Sequence, residues 1–174
     1  MIEIPMTDRP LNVLFLCTGN SCRSIIAESL LNHRGRGRLL AFSAGSHPEG
    51  RVNPRAILTL EKKGLPTVGL RSKSWHEFAK EDAPIMDFIV TVCDNAAAEV
   101  CPVLPGQPLG THWGVPDPAL FSGNEAETAA VFDDTLDRLQ RRIQALLALP
   151  LDSLPINKVK RRLNEIGLTA DEND

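Results

Sequence analysis

Residues 12–24 read Asn-Val-Leu-Phe-Leu-Cys-Thr-Gly-Asn-Ser-Cys-Arg-Ser. Asn12 to Leu16 is a short apolar run with β-branched and aromatic content. Pro10 bounds it before and Thr18-Gly19-Asn20 after, which suits a buried strand. Ile25, Ile26, Leu30 and Leu31 then fall on one face of a helix running to about His33, and Gly35 and Gly37 punctuate its end. Cys17 to Ser24 therefore joins a strand to a helix. A loop entering a helix points several backbone N–H groups inward, and the helix start adds partial positive charge. Such a segment is an anion site before any side chain contributes. Gly19 permits the turn and the close approach of a guest. Arg23 adds a permanent planar cation that can grip two oxygens of a tetrahedral anion. The same field acts on Cys17. A free thiol with a pKa of about 8.5 falls to roughly 3.5–7.5 at helix starts and beside cations. The expectation is a thiolate at neutral pH, poised to attack the anion held beside it. Ser24 can donate to that sulfur, and Asn20 can hold the loop through its amide.

The pattern repeats outward from this stretch. Leu39 to Ser43 reads as a second strand ending at Ala44-Gly45. Asn53-Pro54 looks like an N-cap and a first-turn proline, opening a helix through Ala56, Leu58, Leu60 and Lys63 to Gly64. Asp87 to Val92 is the clearest strand, and Leu109 to Trp113 a candidate fourth. Phe132, Leu136, Leu139, Ile143, Leu146 and Leu147 mark an amphipathic helix over about Glu125 to Ala148. Strands alternating with helices imply a parallel sheet with helices on both faces, with ligands beyond the carboxyl ends of the strands. The fold expected is α/β, a single domain with a four-stranded parallel sheet flanked by helices. It divides into an N-terminal arm (1–10), the sheet domain (11–149) and a C-terminal extension (150–174). In that extension Val159, Leu163 and Ile166 suit one more short packed helix, and the last acidic residues are expected to fray.

A charged fraction of 24% and a net charge of −3 argue against a general nucleic-acid binder. Lys158, Lys160, Arg161 and Arg162 read as the solvated side of a late helix. Met1 to Pro10 is neither a signal peptide nor an anchor, and no apolar run approaches the ~20 residues of a spanning helix, so no membrane partner and a cytoplasmic location are expected. Four cysteines in such a compartment are reduced at rest, and suit catalysis or redox chemistry better than structural disulfides. His33, His47, His76 and His112 make no metal-ligand spacing with them, so no metal site is expected.

Val13 to Ser24, then Ala27-Glu28, Phe42 to Ser46, Val52-Asn53-Pro54 and His112 to Ala119 resemble the low-molecular-weight protein tyrosine phosphatase-like family, and within it the arsenate reductases. The resemblance covers about Leu11 to Leu147. It implies a Rossmann-like fold, an oxyanion-binding loop of Thr18, Gly19, Asn20, Ser21, Cys22, Arg23 and Ser24, and Cys17 as nucleophile. It makes Asp117, in Asp117-Pro118, a general acid that protonates a leaving oxygen; opening a turn is the plainer role for an isolated Asp-Pro. Phosphatases of the family follow Asp-Pro with tyrosines. Here Ala119 and Leu120 follow, and the chain has no tyrosine. The reductases typically carry Asp-Pro-Ala.

The resemblance thus implies reduction of arsenate, a phosphate-like oxyanion, to arsenite. Hydrolysis of a phosphate monoester is the alternative, and a non-catalytic oxyanion-binding or redox-sensing module a third reading. For reduction, Cys17 forms an arsenic adduct, a second thiol attacks Cys17, and a disulfide remains. Cys93 follows the strand Asp87 to Val92, on the same carboxyl edge as Cys17. Cys101 would then attack Cys93. Eight residues of straight helix span ~12 Å, whereas a disulfide needs Cα atoms within roughly 7 Å. Residues 94–100 must therefore unwind or already be loop. Thioredoxin-coupled members carry one residue fewer between these cysteines. No tightly bound cofactor is implied, and an external thiol reductant is, with thioredoxin and glutathione/glutaredoxin both open. Cys22 could instead bridge to Cys17, although a packed loop residue is the plainer reading. Glu28 and Ser43 match positions where some members hold a structural potassium ion; ordinary helix and strand polarity explains them equally. Around the expected rim, His47 to Arg51 forms a Gly/Pro-containing loop.

Overall fold

The structure is a computed structural model in which residues 9–169 are described. The expected N-terminal arm, apart from Arg9 and Pro10, and the fraying expected of the acidic terminus lie outside the described residues. The elements are β1 (Leu11–Cys17), α1 (Arg23–Gly35), β2 (Leu39–Gly45), α2 (Pro54–Lys62), β3 (Phe88–Thr91), α3 (Asp94–Ala98), β4 (Leu109–His112), α4 (Glu125–Leu147) and α5 (Ile156–Thr169). The strands form one sheet in the order β2-β1-β3-β4, all pairs parallel. The apolar run at the centre of the argument is thus an interior strand. All seven residues of β1 are buried, as parallel strands covered on both faces require. Helix starts follow local chemistry. Asn53 accepts from the Arg55 N–H ahead of α2, and Asn124 forms a reciprocal capping box with Glu127 at α4. No side chain caps α1, the helix whose free N–H groups an anion loop needs.

One expectation changes. Helices do not cover both faces equally. The larger core joins alternate β1 residues (Val13, Phe15, Cys17) to α1, α2, α4 and α5, through residues such as Ile26, Leu60, Leu139 and Leu163. The other face, with Leu14 and Leu16, is covered by Trp75 and Phe78 of a 3-10 turn (Trp75–Ala79), together with Met86 and Leu104. Crossover handedness explains this. The step β1→β2 runs one way along the sheet, while β2→β3 and β3→β4 run the other. Right-handed connections therefore carry parts of the later crossovers, the 3-10 turn before β3 and Leu104 before β4, over the face opposite α1, although α2 itself packs beside α1 in the larger core. α5 packs beside β4: the Trp113 indole donates to the Leu163 carbonyl at 2.9 Å, and Val159 and Leu163 are fully buried.

The strand order reverses between β1 and β3, the switch point where open α/β sheets bind ligands. Leu16 pairs with Thr91, so Cys17 and Cys93 leave neighbouring strands at the same edge.

Candidate active site

The Cys17 loop is held by a buried hydrogen-bond network. Ser24 Oγ lies 2.9 Å from Cys17 Sγ, and the Asn20 N–H donates to that sulfur at 3.2 Å. Asn20 Nδ2 donates to Ser24 Oγ at 2.8 Å and to Ser43 Oγ at 3.0 Å, while Asn20 Oδ1 accepts from the Lys73 N–H at 2.9 Å. Asn20 takes a left-handed φ of 45°, which its short amide side chain tolerates better than most. Gly45 lies beneath: a Cβ there would sit 2.4 Å from the Thr18 carbonyl, so only glycine lets β2 approach the loop. Asn20 and Ser24 have no exposed surface, and they shape the loop from behind. Thr18, Gly19, Ser21, Cys22 and Arg23 line with Cys17 a cavity of about 250 Å³. Its other wall holds Asp117, Asn95, His47 and Glu49.

Arg23 is turned toward that wall. Its Nη1 donates to the Val115 carbonyl at 2.9 Å, and its Nη2 lies 3.4 Å from Asp117 Oδ2. The buried Nε–H has no partner among the described residues, so the guanidinium keeps unspent donor capacity. Asp117 also accepts from the Ala119 N–H at 3.0 Å. The turn-opening role and a place across from Cys17 thus coexist in one side chain. Arg142 reaches from α4 to donate to the Gly114 carbonyl at 3.3 Å, bracing the segment that carries Asp117.

Burial works against the thiolate expected of Cys17. Burial pushes its thiol pKa up, against the pull of Ser24, the Asn20 N–H and Arg23. Cys17 is only 3% exposed, one loop N–H reaches its sulfur, and Arg23 pairs with Asp117 and Val115. Cys22 is pushed up as well, chiefly by burial and then by Asp117 and Cys17, which makes it a poor nucleophile and favours its packed reading.

Cys93 lies beside the loop, its sulfur 3.5 Å from Thr18 Oγ1, and it accepts from the Ala96 N–H at 3.3 Å as the first cap of α3. A second cavity of about 560 Å³ adjoins the first, sharing Arg23, Asn95 and Asp117 and adding Cys93 and Leu120. Cys101 is placed elsewhere. It is half-buried against the smaller core with Phe42 and Ile89, whereas Cys93 belongs to the larger one. α3 ends at Ala98, and Glu99 is extended, so the stretch between the two thiols is one short helix followed by irregular chain.

The fold and geometry have counterparts among known proteins. The model of the low molecular weight phosphotyrosine protein phosphatase family matches residues 12–162. The chain belongs to that family. An arsenate reductase of Shouchella clausii is 36% identical over 132 residues, covering 76% of this chain and 91% of that protein. A solved arsenate reductase in a phosphate-bound state aligns with a TM-score of 0.62 at 27% identity, covering 79% of this chain and 97% of that one. A thioredoxin-dependent arsenate reductase of Corynebacterium glutamicum aligns with a TM-score of 0.54 at 25% identity, covering 80% of this chain and 64% of that one.

Against this family the remaining site residues can be placed. Lys73 Nζ sits 3.9 Å from Glu28 Oε1 and 3.4 Å from Ser43 Oγ, so a built-in ammonium supplies positive charge between the two residues matched to a potassium site. Burial raises the Glu28 pKa and lowers that of Lys73, each shift opposed by the partner charge. Trp113 packs against Phe15, and His112 bridges Thr91 Oγ1 (2.7 Å) and Asp94 Oδ1 (2.8 Å) rather than reaching Asp117. Among the described residues no group of three or more His, Cys, Asp or Glu side chains could hold a metal, and no helix is long and apolar enough to cross a membrane. Sequence reasoning did not single out Lys73, Asn95 or Glu49. Glu49 and Asn95 follow β2 and β3 at the carboxyl edge, so the rule that located Cys17 places their segments at the site but does not pick out these side chains.

Proposed function

We propose that this chain reduces arsenate to arsenite. The observation that carries the reading is the Cys93 sulfur 3.5 Å from Thr18 Oγ1, a second thiol on the rim of the loop that holds Cys17. Hydrolysis of a phosphate ester needs no such group. The similarity to proteins named arsenate reductases supports the same choice.

The oxyanion enters the loop, and Arg23 turns from Asp117 to two of its oxygens. Cys17 attacks as thiolate, and an arsenic-bound oxygen leaves as water on taking a proton from Asp117. Cys93, as thiolate, then attacks the Cys17 sulfur. The S–S bond forms, the S–As electron pair passes to arsenic, and As(V) leaves as As(III). The two thiols supply both electrons. Cys101 attacks Cys93, freeing Cys17, and the Cys93–Cys101 disulfide is returned to dithiol by an external thiol reductant. Because Cys93 and Cys101 start in different cores, this last step requires residues 94–100 to rearrange. The likeness to a thioredoxin-dependent enzyme supports a thioredoxin-type dithiol; glutathione with glutaredoxin is the rival supply. A reducing compartment such as the cytoplasm suits this chemistry.

Arsenite release decides the matter. Wild-type protein with arsenate and a thioredoxin system should form arsenite over many turnovers, and Cys93→Ser should not. Fast aryl phosphate hydrolysis that survives both Cys93→Ser and Cys101→Ser, with no arsenite formed, would transfer the chain to the phosphatases. There the trio Cys17, Arg23 and Asp117 suffices.

A further inference from the structure

An anion pocket is expected to present cations and N–H donors. This one also presents a carboxylate that the chemistry above does not use. Glu49 lines the 250 Å³ cavity together with Arg23. Its place is fixed by backbone pairing, since the Glu49 N–H donates to the Gly19 carbonyl and the His47 N–H to the Thr18 carbonyl, both at 2.9 Å. The side chain folds over the loop: a Cβ on Gly19 would lie 3.1 Å from Glu49 Oε1. Among the described residues no group donates a hydrogen bond to that carboxylate. Asp117, the other carboxylate of the pocket, is occupied by Arg23 and the Ala119 N–H. The other charged or titratable groups around Glu49 are His47 on its own loop, paired at 3.8 Å with Glu99, and Cys17, Cys22 and Arg23 on the anion loop.

A free acceptor in an anion pocket discriminates between tetrahedral guests. Arsenate and phosphate carry a proton near neutral pH and can donate it as a hydrogen bond. Sulfate carries none, and meets the carboxylate as an unrelieved like charge with a lone pair facing a lone pair. Sites that match a guest's hydrogen-bond donors reject an analogue lacking them far better than sites relying on size.

We infer that Glu49 is the specificity residue of the oxyanion pocket, accepting a hydrogen bond from a protonated tetrahedral anion and repelling sulfate. The inference rests on the oxyanion-binding part of the reading above, but does not need the disulfide relay.

The test is the ratio of sulfate to phosphate dissociation constants, measured by calorimetry near pH 7 at fixed ionic strength. Glu49 is exposed, so its effect is moderated by solvent. Glu49→Gln keeps the size, removes the charge and offers sulfate a donor. It should tighten sulfate about tenfold, leave phosphate level or slightly weaker, and so collapse the ratio by about tenfold. Glu49→Lys should collapse it further, and Glu49→Asp should retain part of it. A purely structural role would move both anions together. An unchanged ratio in Glu49→Gln, or no phosphate binding by any variant, overturns the inference. If the ratio collapses while the wild type forms no arsenite, the inference stands and the reductase reading falls. If the wild type forms arsenite and the ratio is unmoved, the reverse holds.

Discussion

The loop from Cys17 to Ser24 and the segment from Cys93 to Cys101 leave neighbouring strands at one sheet edge, and they are built in opposite ways. In the first, every polar side chain behind the sulfur is buried and bonded: Asn20 alone joins Ser24, Ser43 and the Lys73 backbone. In the second, one short helix is followed by extended chain, and the two thiols pack into different cores. The contrast teaches where each step of the chemistry draws its geometry. In the proposed chemistry, oxyanion capture uses a loop whose backbone is already braced, with Arg23 left to turn from Asp117 to the guest. Under the proposed relay, transfer of the disulfide to Cys101 joins two thiols that pack in different cores, so its geometry would come from local rearrangement.

Substitutions at the two regions should therefore fail differently. The largest effect belongs to the formed site. Cys17→Ser should lower arsenite formation by roughly 10⁴-fold or more, since a removed nucleophile disables the whole catalytic unit. Phosphate affinity should stay within a few-fold. A loss of phosphate binding to the same degree would mean that the sulfur shapes the loop rather than reacting from it.

The thiols of the second region come next. Cys93→Ser should abolish steady-state turnover, roughly 10³-fold, yet leave Cys17 able to form its adduct. Cys101→Ser should permit one turnover per protein molecule and then stop, with a Cys17–Cys93 disulfide visible by mass spectrometry of peptides. If Cys101→Ser sustains full steady-state turnover, the relay ends at Cys93 and the two-core separation has no mechanistic meaning. Asp117→Asn should cost about 10²-fold in kcat, in line with loss of a general acid. It also releases Arg23 from its ion pair, so oxyanion affinity should rise slightly rather than fall.

The sequence revealed the formed region better than the second. Length, periodicity and punctuation placed the four strands, α1, α2 and α4 within about two residues, and marked α5 only by its apolar positions, because buried parallel strands and amphipathic helices write their environment into their composition. Cys17 and Arg23 stood out for a related reason: few arrangements other than an anion loop need Cys, Gly, Arg and Ser between a strand and a helix; Asp117 stood out only through the family resemblance, since Asp-Pro alone reads as a turn. The face assignment of the later crossovers was not legible. It follows from strand order, and local patterns do not carry strand order. Glu49 was missed because an isolated Glu in a loop has the composition of any solvated turn; only the pairing of Glu49 with the Gly19 carbonyl reveals that it overlooks the pocket. The separation of Cys93 from Cys101 depends on which core each thiol joins, and eight residues of sequence do not encode that.

The ionisation of Cys17 is where sequence argument and structure diverge most sharply, and it yields the smallest but cleanest prediction. Helix start and guanidinium favour the thiolate; burial opposes it and prevails while Arg23 is held by Asp117. Alkylation of Cys17 in oxyanion-free protein should therefore follow a pH profile with its midpoint above the ~8.5 of a free thiol. Ser24→Ala removes the nearest hydroxyl donor to the sulfur, so the midpoint should move further up, and the rate at pH 8 should fall roughly three- to tenfold. The sign carries over to stability. A thiol whose folded pKa is raised favours the folded state fully below the unfolded thiol pKa, and that contribution is lost as pH rises through the folded value. The Tm of the wild type should then drop more steeply above about pH 9 than that of Cys17→Ser. A midpoint well below 8.5 would mean that Arg23 in solution points at the sulfur rather than at Asp117, and the two regions would then differ only in their backbones and not in their charge state.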